Sequence, residues 1–252
     1  MNKRIGMIDS GLGGISMLKA CVDAYPNYDY VFIGDQLNAP YGDLSVEDIY
    51  KNVQGMLHFL QAAQVYEVIV ACNTVCATIL DKLVEEYPNM IFHGIIDPTA
   101  RLLDEEHKHV LVLATCATTS THRYQQAIKF YHPSIKVDEV AAQKLVPLVE
   151  AGAKESSKLL ALHELIDPYL DHIDAILLGC THYPLLINEI KCITDVKLYD
   201  SNKAILATLD FKHSDEIGSV QVYTSASPAI MHQQLLDIMN KDYDVQKFIA
   251  KP

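Results

Sequence analysis

The sequence lacks the long apolar segments and the basic clusters that would place a protein in a membrane or on a nucleic acid. No apolar run approaches the roughly 18 residues of a membrane-spanning helix. Lys and Arg number 20 against 32 Asp and Glu, giving a net charge of -12, and the basic residues are scattered. Because such a surface repels phosphate backbones, we expect no nucleic-acid partner and no membrane partner.

Several signatures of targeting, metal binding and catalysis are also missing. The chain reaches Asp9 after a very short apolar stretch, so we expect no secretory signal and a cytoplasmic protein with reduced cysteines. There is no P-loop and no G-x-S-x-G elbow, and the segment beginning at His163 lacks the second histidine of a zinc-protease helix. Cys72 and Cys76 have the spacing of half a metal site without a second half, so we expect no bound metal. Residues 105–109, "EEHKH", are predicted to be the solvated end of a helix.

What is present is an alternation of short apolar runs with amphipathic segments. Half of the 252 residues are hydrophobic and 21% are charged, which is typical of a folded globular protein of one large or two small domains. The predicted strands are "RIGMI", "YVFIG", "EVIVA", "IFHGII", "HVLVLA", "IKVDEV", "DAILLG" and "VKLY". Helices are predicted over 45–64, with Ser45 and Asp48 as a capping box, and over 155–171. The alternation predicts an α/β fold with mainly parallel sheets.

Polar residues at the strand ends repeat along the chain. The strand ends at Asp9 and Cys72 are 63 residues apart, and those at Thr115 and Cys180 are 65 apart. The two halves are therefore interpreted as versions of one unit, each with a cysteine at the carboxyl edge of its sheet, where α/β proteins bind ligands. If these edges face each other, the two thiols lie across one cleft. No linker separates the halves, so we expect two tightly docked domains.

The first strand end, "DSGLGGIS", allows three interpretations. Gly11, Gly13 and Ser16 approximate a dinucleotide fingerprint, and Asp35 lies near the position of a ribose-binding acid. The carboxylate of Asp9, however, would oppose a pyrophosphate at this turn. The glycines could instead simply form a tight turn, or the turn could present Asp9 to a small polar ligand.

The segments "ACNT" and "GCTH" each place a cysteine after a small residue and before hydrogen-bonding side chains. A single cysteine of this kind is more often a small buried hydrophobe, but the matching settings of Cys72 and Cys180 favour two functional thiols. A thiol is mostly protonated at neutral pH, and a neighbouring His182 would favour its thiolate. The alternative for His182 is a purely structural histidine. Residues 34–42, "GDQLNAPYG", are either an ordinary turn or a binding loop.

Taken together and in order, "IDSGLGG", "APYG", "ACNT", "LVPLVEAG" and "LLGCTHYPLL" resemble the glutamate racemases of the aspartate/glutamate racemase superfamily. The resemblance runs from Ile8 to about Ala204. It implies a two-domain, pseudo-symmetric α/β fold with the active site between the domains, which we place at 1–95 plus 208–252, with returning C-terminal helices, and at 96–207. It also implies interconversion of L- and D-glutamate for bacterial peptidoglycan, without a cofactor, and a homodimer.

The resemblance also implies roles for individual residues. Cys72 and Cys180 match the two acid/base thiols, the first acting on D-glutamate and the second on L-glutamate. Asp9 matches the carboxylate that assists the first thiol, while His182 and Glu150 match groups on the second side. The substrate-holding positions correspond to Ser10, Tyr41, Gly42, Asn73, Thr74, Thr118 and Thr181.

The sequence departs from the family pattern at a few positions. Asn38 stands where arginine is common, and Ala142 and Gln143 replace a Cys-Pro pair before "KLVPLVE". Thr99 follows Pro98 where glycine is frequent. These departures do not touch the chemistry but leave turnover, oligomer contacts and side-chain selectivity open. The alternatives are an aspartate or other amino-acid racemase, a non-catalytic amino-acid binding module, against which the two cysteines argue, and a single-thiol lyase or decarboxylase of the superfamily, against which Cys72 argues.

Overall fold

The computed structural model describes residues 3–249, which form two parallel sheets covered by helices. The first sheet has the strand order β10-β9-β2-β1-β3-β4, and the second has the order β6-β5-β7-β8. The strands are β1 (Arg4–Asp9), β2 (Asp29–Gly34), β3 (Glu67–Val70), β4 (Ile91–Gly94), β5 (His109–Ala114), β6 (Lys136–Ala141), β7 (Ala175–Gly179), β8 (Lys197–Asp200), β9 (Val220–Thr224) and β10 (Val245–Lys247). The predicted α/β class is confirmed.

The helices fill the connections between these strands. They are α1 (Gly13–Ala24), α2 (Val46–Ala62), α3 (Asn73–Thr78), α4 (Leu80–Glu86), α5 (Ile96–Arg101), α6 (Cys116–Thr121), α7 (Arg123–Tyr131), α8 (Leu145–Glu150), α9 (Glu155–Ile166), α10 (Ile187–Ile193), α11 (Ser201–Leu206) and α12 (Pro228–Met239). No helix within residues 3–249 combines the length and the hydrophobicity needed to cross a membrane.

Local sequence explains the elements that carry the core. Strand β7 is buried along its whole length, as its uninterrupted apolar sequence predicts for a parallel strand covered on both faces. Helix α2 begins after Ser45, whose hydroxyl accepts the Asp48 amide at 3.1 Å, as predicted. The apolar face of the same helix, which includes Ile49 and Val53, is fully buried.

The two halves of the chain share one strand order. In the first half the order is β2-β1-β3-β4, and in the second it is β6-β5-β7-β8, with all pairs parallel. Strands β1 and β3 are therefore the central neighbours in one sheet, as β5 and β7 are in the other. This matches the internal repeat predicted from the spacing of polar strand ends.

The C-terminal segment differs from the expectation of returning helices alone. Strands β9 and β10 extend the first sheet beside β2, and α12 lies between them in sequence. The reason for the difference is that β9, which lies between β2 and β10, alternates buried and more exposed residues, and β10 is only three residues long. Neither strand has the continuous apolar run of a central parallel strand.

Candidate active site

Cys72 lies between the end of β3 and the start of α3 and is almost fully buried, with 3% of its surface exposed. Its Sγ donates to the hydroxyl of Ser10 at 3.7 Å. Burial raises the pKa of the Cys72 thiol well above its usual value, and the nearby charges of Asp9 and Cys180 add to the increase. The Val75 amide and the Ser10 hydroxyl oppose the increase without cancelling it. Cys72 is therefore a protonated thiol at neutral pH in this closed arrangement.

Asp9 is the last residue of β1 and is buried at the start of the turn into α1. Its Oδ2 accepts the amides of Gly11 and Gly14, both at 2.9 Å, and its Oδ1 accepts the Thr181 hydroxyl at 3.2 Å. Burial raises the pKa of the Asp9 carboxyl, while the positive charge of His182 and the two amides act in the opposite direction. Since the carboxylate occupies these amides, they are not free to hold a pyrophosphate, and the dinucleotide interpretation loses its basis.

Cys180 follows β7 and begins a chain of polar contacts on the second side of the site. Its Sγ lies 3.7 Å from Nδ1 of His182, and Nε2 of the same ring lies 2.7 Å from Oε1 of Glu150. Cys180 and His182 expose 6% and 1% of their surfaces. The imidazole therefore lies between a thiol and a carboxylate, out of contact with solvent.

The chain of contacts sets the charge of the imidazole. Burial by itself would lower the pKa of His182, but the hydrogen bonds and charges of Cys180 and Glu150 outweigh it and raise the pKa to about 10. Burial likewise acts to raise the pKa of Glu150, yet its bond to His182 and the Leu12 amide at 3.0 Å lower it. The ring is therefore a cation at neutral pH and donates from both nitrogens.

Contacts between the two sheets bring both thiols into one site. The hydroxyl of Thr181, next to Cys180, reaches Asp9 of β1, and Glu150 of α8 accepts the amide of Leu12. A Cβ added to Gly13 would lie 2.6 Å from the Thr181 carbonyl carbon and 2.7 Å from the His182 nitrogen. Only glycine permits this approach of the two backbones.

Three threonine hydroxyls form a second bridge between the halves. Thr74 Oγ1 lies 2.9 Å from Thr115 Oγ1, which also donates to Thr118 Oγ1 at 2.9 Å. Thr118 and Thr74 are 3.5 Å apart, and all three residues are buried. Thr74 and Thr118 are predicted site residues, whereas Thr115 was identified only as a strand end. Thr115 follows β5 at a position that corresponds to Asp9 near the end of β1, and this correspondence could have indicated that Thr115 belongs to the site.

Asn73 contributes an unpaired amide to the same region. Its Oδ1 accepts the hydroxyl of buried Tyr124, while its Nδ2 is buried without a hydrogen-bond partner among residues 3–249. A buried donor without a partner carries a desolvation cost of about 1–3 kcal/mol. A polar ligand beside it would remove that cost.

The loop of residues 34–42, which the sequence leaves open as a turn or a binding loop, packs against the second half. The Tyr41 hydroxyl donates to Asp35 at 2.6 Å, and Asn38 donates to the same carboxylate at 3.0 Å. Gly42 packs so closely on the second half that an added Cβ would lie 2.2 Å from Gln143 Oε1 and 2.7 Å from Thr115 Cβ. Both polar atoms of the Gln143 amide are buried without a partner among the described residues. Gln143 was not predicted to lie beside the site, although its difference from the family pattern at this position could have indicated it.

The structure thus brings the predicted residues together on two sides of one closed region. Cys72, Ser10 and Asp9 lie on the first side, and Cys180, His182 and Glu150 on the second. Cys72 and Cys76, which have the spacing of half a metal site, have separate partners. Cys76 Sγ donates to the Val70 carbonyl at 3.2 Å, while Cys72 Sγ donates to Ser10. The site therefore contains two buried thiols with different polar neighbours, and hydroxyl and amide groups around them.

Comparison with known sequences identifies similar proteins. A family profile described as Asp/Glu/hydantoin racemase matches residues 5–209. The chain is 39% identical over 204 residues to a glutamate racemase of Lactobacillus johnsonii, covering 79% of this chain and 76% of that protein. It is 38% identical over 226 residues to the glutamate racemase of Aquifex aeolicus, covering 87% of each.

Solved structures give the same result for the fold. The glutamate racemase of Francisella tularensis, solved in complex with D-glutamate, superposes with a TM-score of 0.89 at 26% identity over 99% of this chain and 98% of that one. The glutamate racemase of Aquifex pyrophilus superposes with a TM-score of 0.81 at 30% identity, over 97% and 98%.

Proposed function

The chain belongs to the Asp/Glu/hydantoin racemase family, and from that premise we propose that it interconverts L- and D-glutamate. The observation that carries the proposal is the placement of Cys72 and Cys180 after equivalent strands of two sheets, in one buried region and with different proton partners. The names of the relatives, together with the D-glutamate complex of the Francisella tularensis enzyme, support glutamate as the substrate.

Inversion of an α-carbon needs a base on one face and an acid on the other. Starting from L-glutamate, the Cys180 thiolate takes the α-proton, so that the C–H bond breaks and an S–H bond forms. The electron pair stays on the substrate as a planar carbanion. The Cys72 thiol then gives its proton to the opposite face, forming the new C–H bond and leaving a thiolate. Starting from D-glutamate, the same steps run in reverse.

Asp9 and His182 act as proton partners of the two thiols. His182, cationic and bonded to Glu150, lies on the side of Cys180, where a positive charge stabilises the anion that precedes proton abstraction. Asp9 lies on the side of Cys72 and raises the pKa of that thiol, which keeps the proton available for delivery. The two thiols therefore have partners of opposite charge before substrate binds.

The α-proton of an amino acid is weakly acidic, and we propose that the protein compensates without a cofactor. Donors fixed in a closed site stabilise charge that develops on the substrate carboxylate, because they need no reorganisation during the reaction. The unpaired Asn73 amide is the donor we assign to this task. The hydroxyls of Thr74, Thr118 and Thr181 lie beside it in the proposed site and can donate to the substrate only by turning from their present partners. Ser10, Tyr41 and Gly42 complete the proposed substrate contacts.

The wider role follows from the same proposal. D-Glutamate made in the cytoplasm would supply peptidoglycan synthesis, and with it cell-wall formation and cell shape. We also propose a homodimer, with one domain at 1–95 plus 208–252 and the other at 96–207.

The proposal is tested by incubating the protein with each glutamate enantiomer in D2O and following both chirality and α-deuteration. We expect racemisation with deuterium entering the product from either enantiomer, and no response to added pyridoxal phosphate. Cys72→Ser and Cys180→Ser should each lower racemisation by roughly 10²- to 10⁴-fold or more, because serine is a far weaker acid/base group at neutral pH.

Two matched variants control for the loss of a thiol as such. Cys76→Ser removes a buried thiol at the fourth residue of α3, and Cys192→Ser removes an exposed one. Both variants should racemise glutamate at near the parent rate. Full activity in either active-site serine variant would exclude the two-thiol scheme. Faster turnover of aspartate than of glutamate would reassign the substrate, and binding without any α-deuteration would indicate a binding protein.

A further inference from the structure

A cluster of three metal-ligand side chains lies at the opposite edge of the second sheet from the thiols. His109 is the first residue of β5, Asp138 is the third residue of β6, and His172 is in the turn that leads into β7. Strand β5 extends from His109 to Ala114, a span of about 16 Å at roughly 3.3 Å per residue. The cluster is therefore separate from the site at the carboxyl ends of the strands.

The strand register explains why His109 and Asp138 meet. His109 pairs with Lys136 and Leu111 pairs with Asp138, so His109 and Asp138 lie on the same face of neighbouring strands. Residues 105–109 are thus not the predicted helix end but a turn into β5, because His109 has a place in the sheet. His172 reaches the pair from the following turn, and its ring contacts that of His109 with centroids 4.8 Å apart.

The distances between the ligand atoms fit one metal ion. His109 Nε2 lies 2.9 Å from Asp138 Oδ2, His172 Nε2 lies 3.4 Å from the same oxygen, and the three ligand atoms are all within 4.8 Å of one another. Zinc–nitrogen and zinc–oxygen bonds of about 2.0–2.1 Å place ligand atoms in a tetrahedral site about 3.3 Å apart. Small side-chain rotations would bring the three atoms to that spacing.

We propose that His109, Asp138 and His172 bind a divalent transition-metal ion of the zinc type. Two imidazoles and one carboxylate are ligands that suit zinc, cobalt or nickel, whereas calcium and magnesium prefer sites made only of oxygen. With three protein ligands, the ion keeps one position for water. The net charge of -12 favours cation binding as well.

The surroundings leave the three ligands available. The side chains of His172 and Asp138 are 44% and 37% exposed, and that of His109 is 18% exposed, so an ion can reach them from solvent. The neighbouring His107 is already paired with Asp174 at 3.1 Å. The Tyr169 ring lies against His172 with centroids 5.8 Å apart and restricts its orientation. A bound ion would join β5, β6 and the turn before β7.

The test is a titration of the intact protein with CoCl2 and ZnCl2 in the absence of substrate, in a Cys116→Ser/Cys192→Ser background that removes the two exposed thiols. We expect one ion per chain by calorimetry and cobalt d–d absorption without a thiolate-to-cobalt charge-transfer band. His172→Gln and Asp138→Asn should each weaken binding by on the order of 100-fold, since loss of even an outer-shell partner costs 10- to 100-fold.

Matched controls use two exposed histidines that each pair with one carboxylate. His232, paired with Asp242 at 2.8 Å, and His163, paired with Asp167 at 3.0 Å, belong to no three-ligand cluster within residues 3–249, so His232→Gln and His163→Gln should bind cobalt like the parent. Equal affinity in His172→Gln and the parent, or a charge-transfer band from a thiolate, would overturn the proposal. Since His172 is exposed, circular dichroism of His172→Gln should match the parent, and racemisation plays no part in the readout.

Discussion

The two halves of the molecule share a strand order but surround their thiols with opposite charges. Cys72 lies beside Ser10 and the carboxylate of Asp9, while Cys180 lies beside His182, a cation paired with Glu150. An anion on one side and a cation on the other is the arrangement that keeps one thiol protonated and assists proton removal at the other. The repeated fold therefore supplies the geometry, and Asp9 at the end of β1, His182 shortly after β7 and Glu150 in α8 supply the chemical difference.

The largest expected effect comes from removing each proton partner in turn. His182→Asn and Asp9→Asn keep the approximate shape of the side chain and should each lower kcat by roughly 10²- to 10⁴-fold. Because the two enantiomers have equal free energy, kcat/KM must fall equally for both, and it cannot reveal which thiol is affected. The primary isotope effect does reveal which thiol is affected, because it reports how far proton abstraction by that thiol limits the rate. It should rise for α-deuterated L-glutamate in His182→Asn and for α-deuterated D-glutamate in Asp9→Asn.

If both variants gave the same isotope pattern, the assignment of Asp9 to Cys72 and of His182 to Cys180 would be wrong. Equal effects on both enantiomers would mean that Asp9 and His182 act on one shared step and not each on its own thiol. His163→Asn, which changes an exposed histidine far from both thiols in sequence, should leave rates and isotope effects unchanged.

An intermediate effect is expected from Glu150→Gln, measured as stability against pH. The pKa of His182 in the folded protein is about 10, above its ordinary 6.5, so the stabilisation is complete below pH 6.5 and is lost as pH rises toward 10. The pKa of Glu150 is lowered from 4.5, so its contribution is present above that pH and is lost in acid. The variant should lose about 1–3 kcal/mol of unfolding free energy near pH 6, and less near pH 9.5.

Urea denaturation at the two pH values measures this difference. Glu164→Gln removes a carboxylate from an exposed pair with Lys144 and should change the free energy of unfolding by less than about 1 kcal/mol at both. A loss in Glu150→Gln that is the same at pH 6 and pH 9.5 would mean that His182 does not carry the charge assigned to it.

The smallest effect is expected at Thr115, where the second half has a neutral hydroxyl near the position that corresponds to Asp9. Thr115→Val removes the cap that accepts the Thr118 amide at 3.2 Å and the bond to Thr74 across the halves. It should lower the free energy of unfolding by about 1–2 kcal/mol, as measured by urea denaturation. Thr115→Ser keeps the hydroxyl and should recover most of the loss; if it does not, the methyl group and not the hydroxyl holds this position.

Local pattern was enough to predict strands β1 to β8 and helix α2. Strands β1, β2, β3, β5 and β7 have buried apolar runs, while the more exposed β4, β6 and β8 still have short runs that include apolar or β-branched residues. Helix α2 has a cap and a regular apolar face. Strand β9 was missed because its sequence, VQVYT, alternates polar and apolar residues, and β10 was missed because it has only three residues.

The site was predictable where it depends on strand ends and less so where it depends on contacts between the sheets. Asp9, Cys72 and Cys180 follow from the repeat of polar strand ends. The bond from the Leu12 amide to Glu150, the hydroxyl of Thr115 and the unpaired amide of Gln143 depend on how one half docks on the other. No periodicity in the sequence reports that docking.

The near-complete enclosure of the two sulfur atoms has a consequence for successive turnovers. On the two-thiol scheme, each inversion ends with the starting base protonated and the starting acid deprotonated, and Cys72 and Cys180, exposed by only 3% and 6%, have little contact with water through which to exchange protons. On the two-thiol scheme, the enzyme that releases D-glutamate is thus left ready to accept D-glutamate again. Before it can accept L-glutamate again, the empty enzyme must move the proton from Cys180 back to Cys72. At saturating substrate, this proton redistribution can limit the rate as much as the inversion itself.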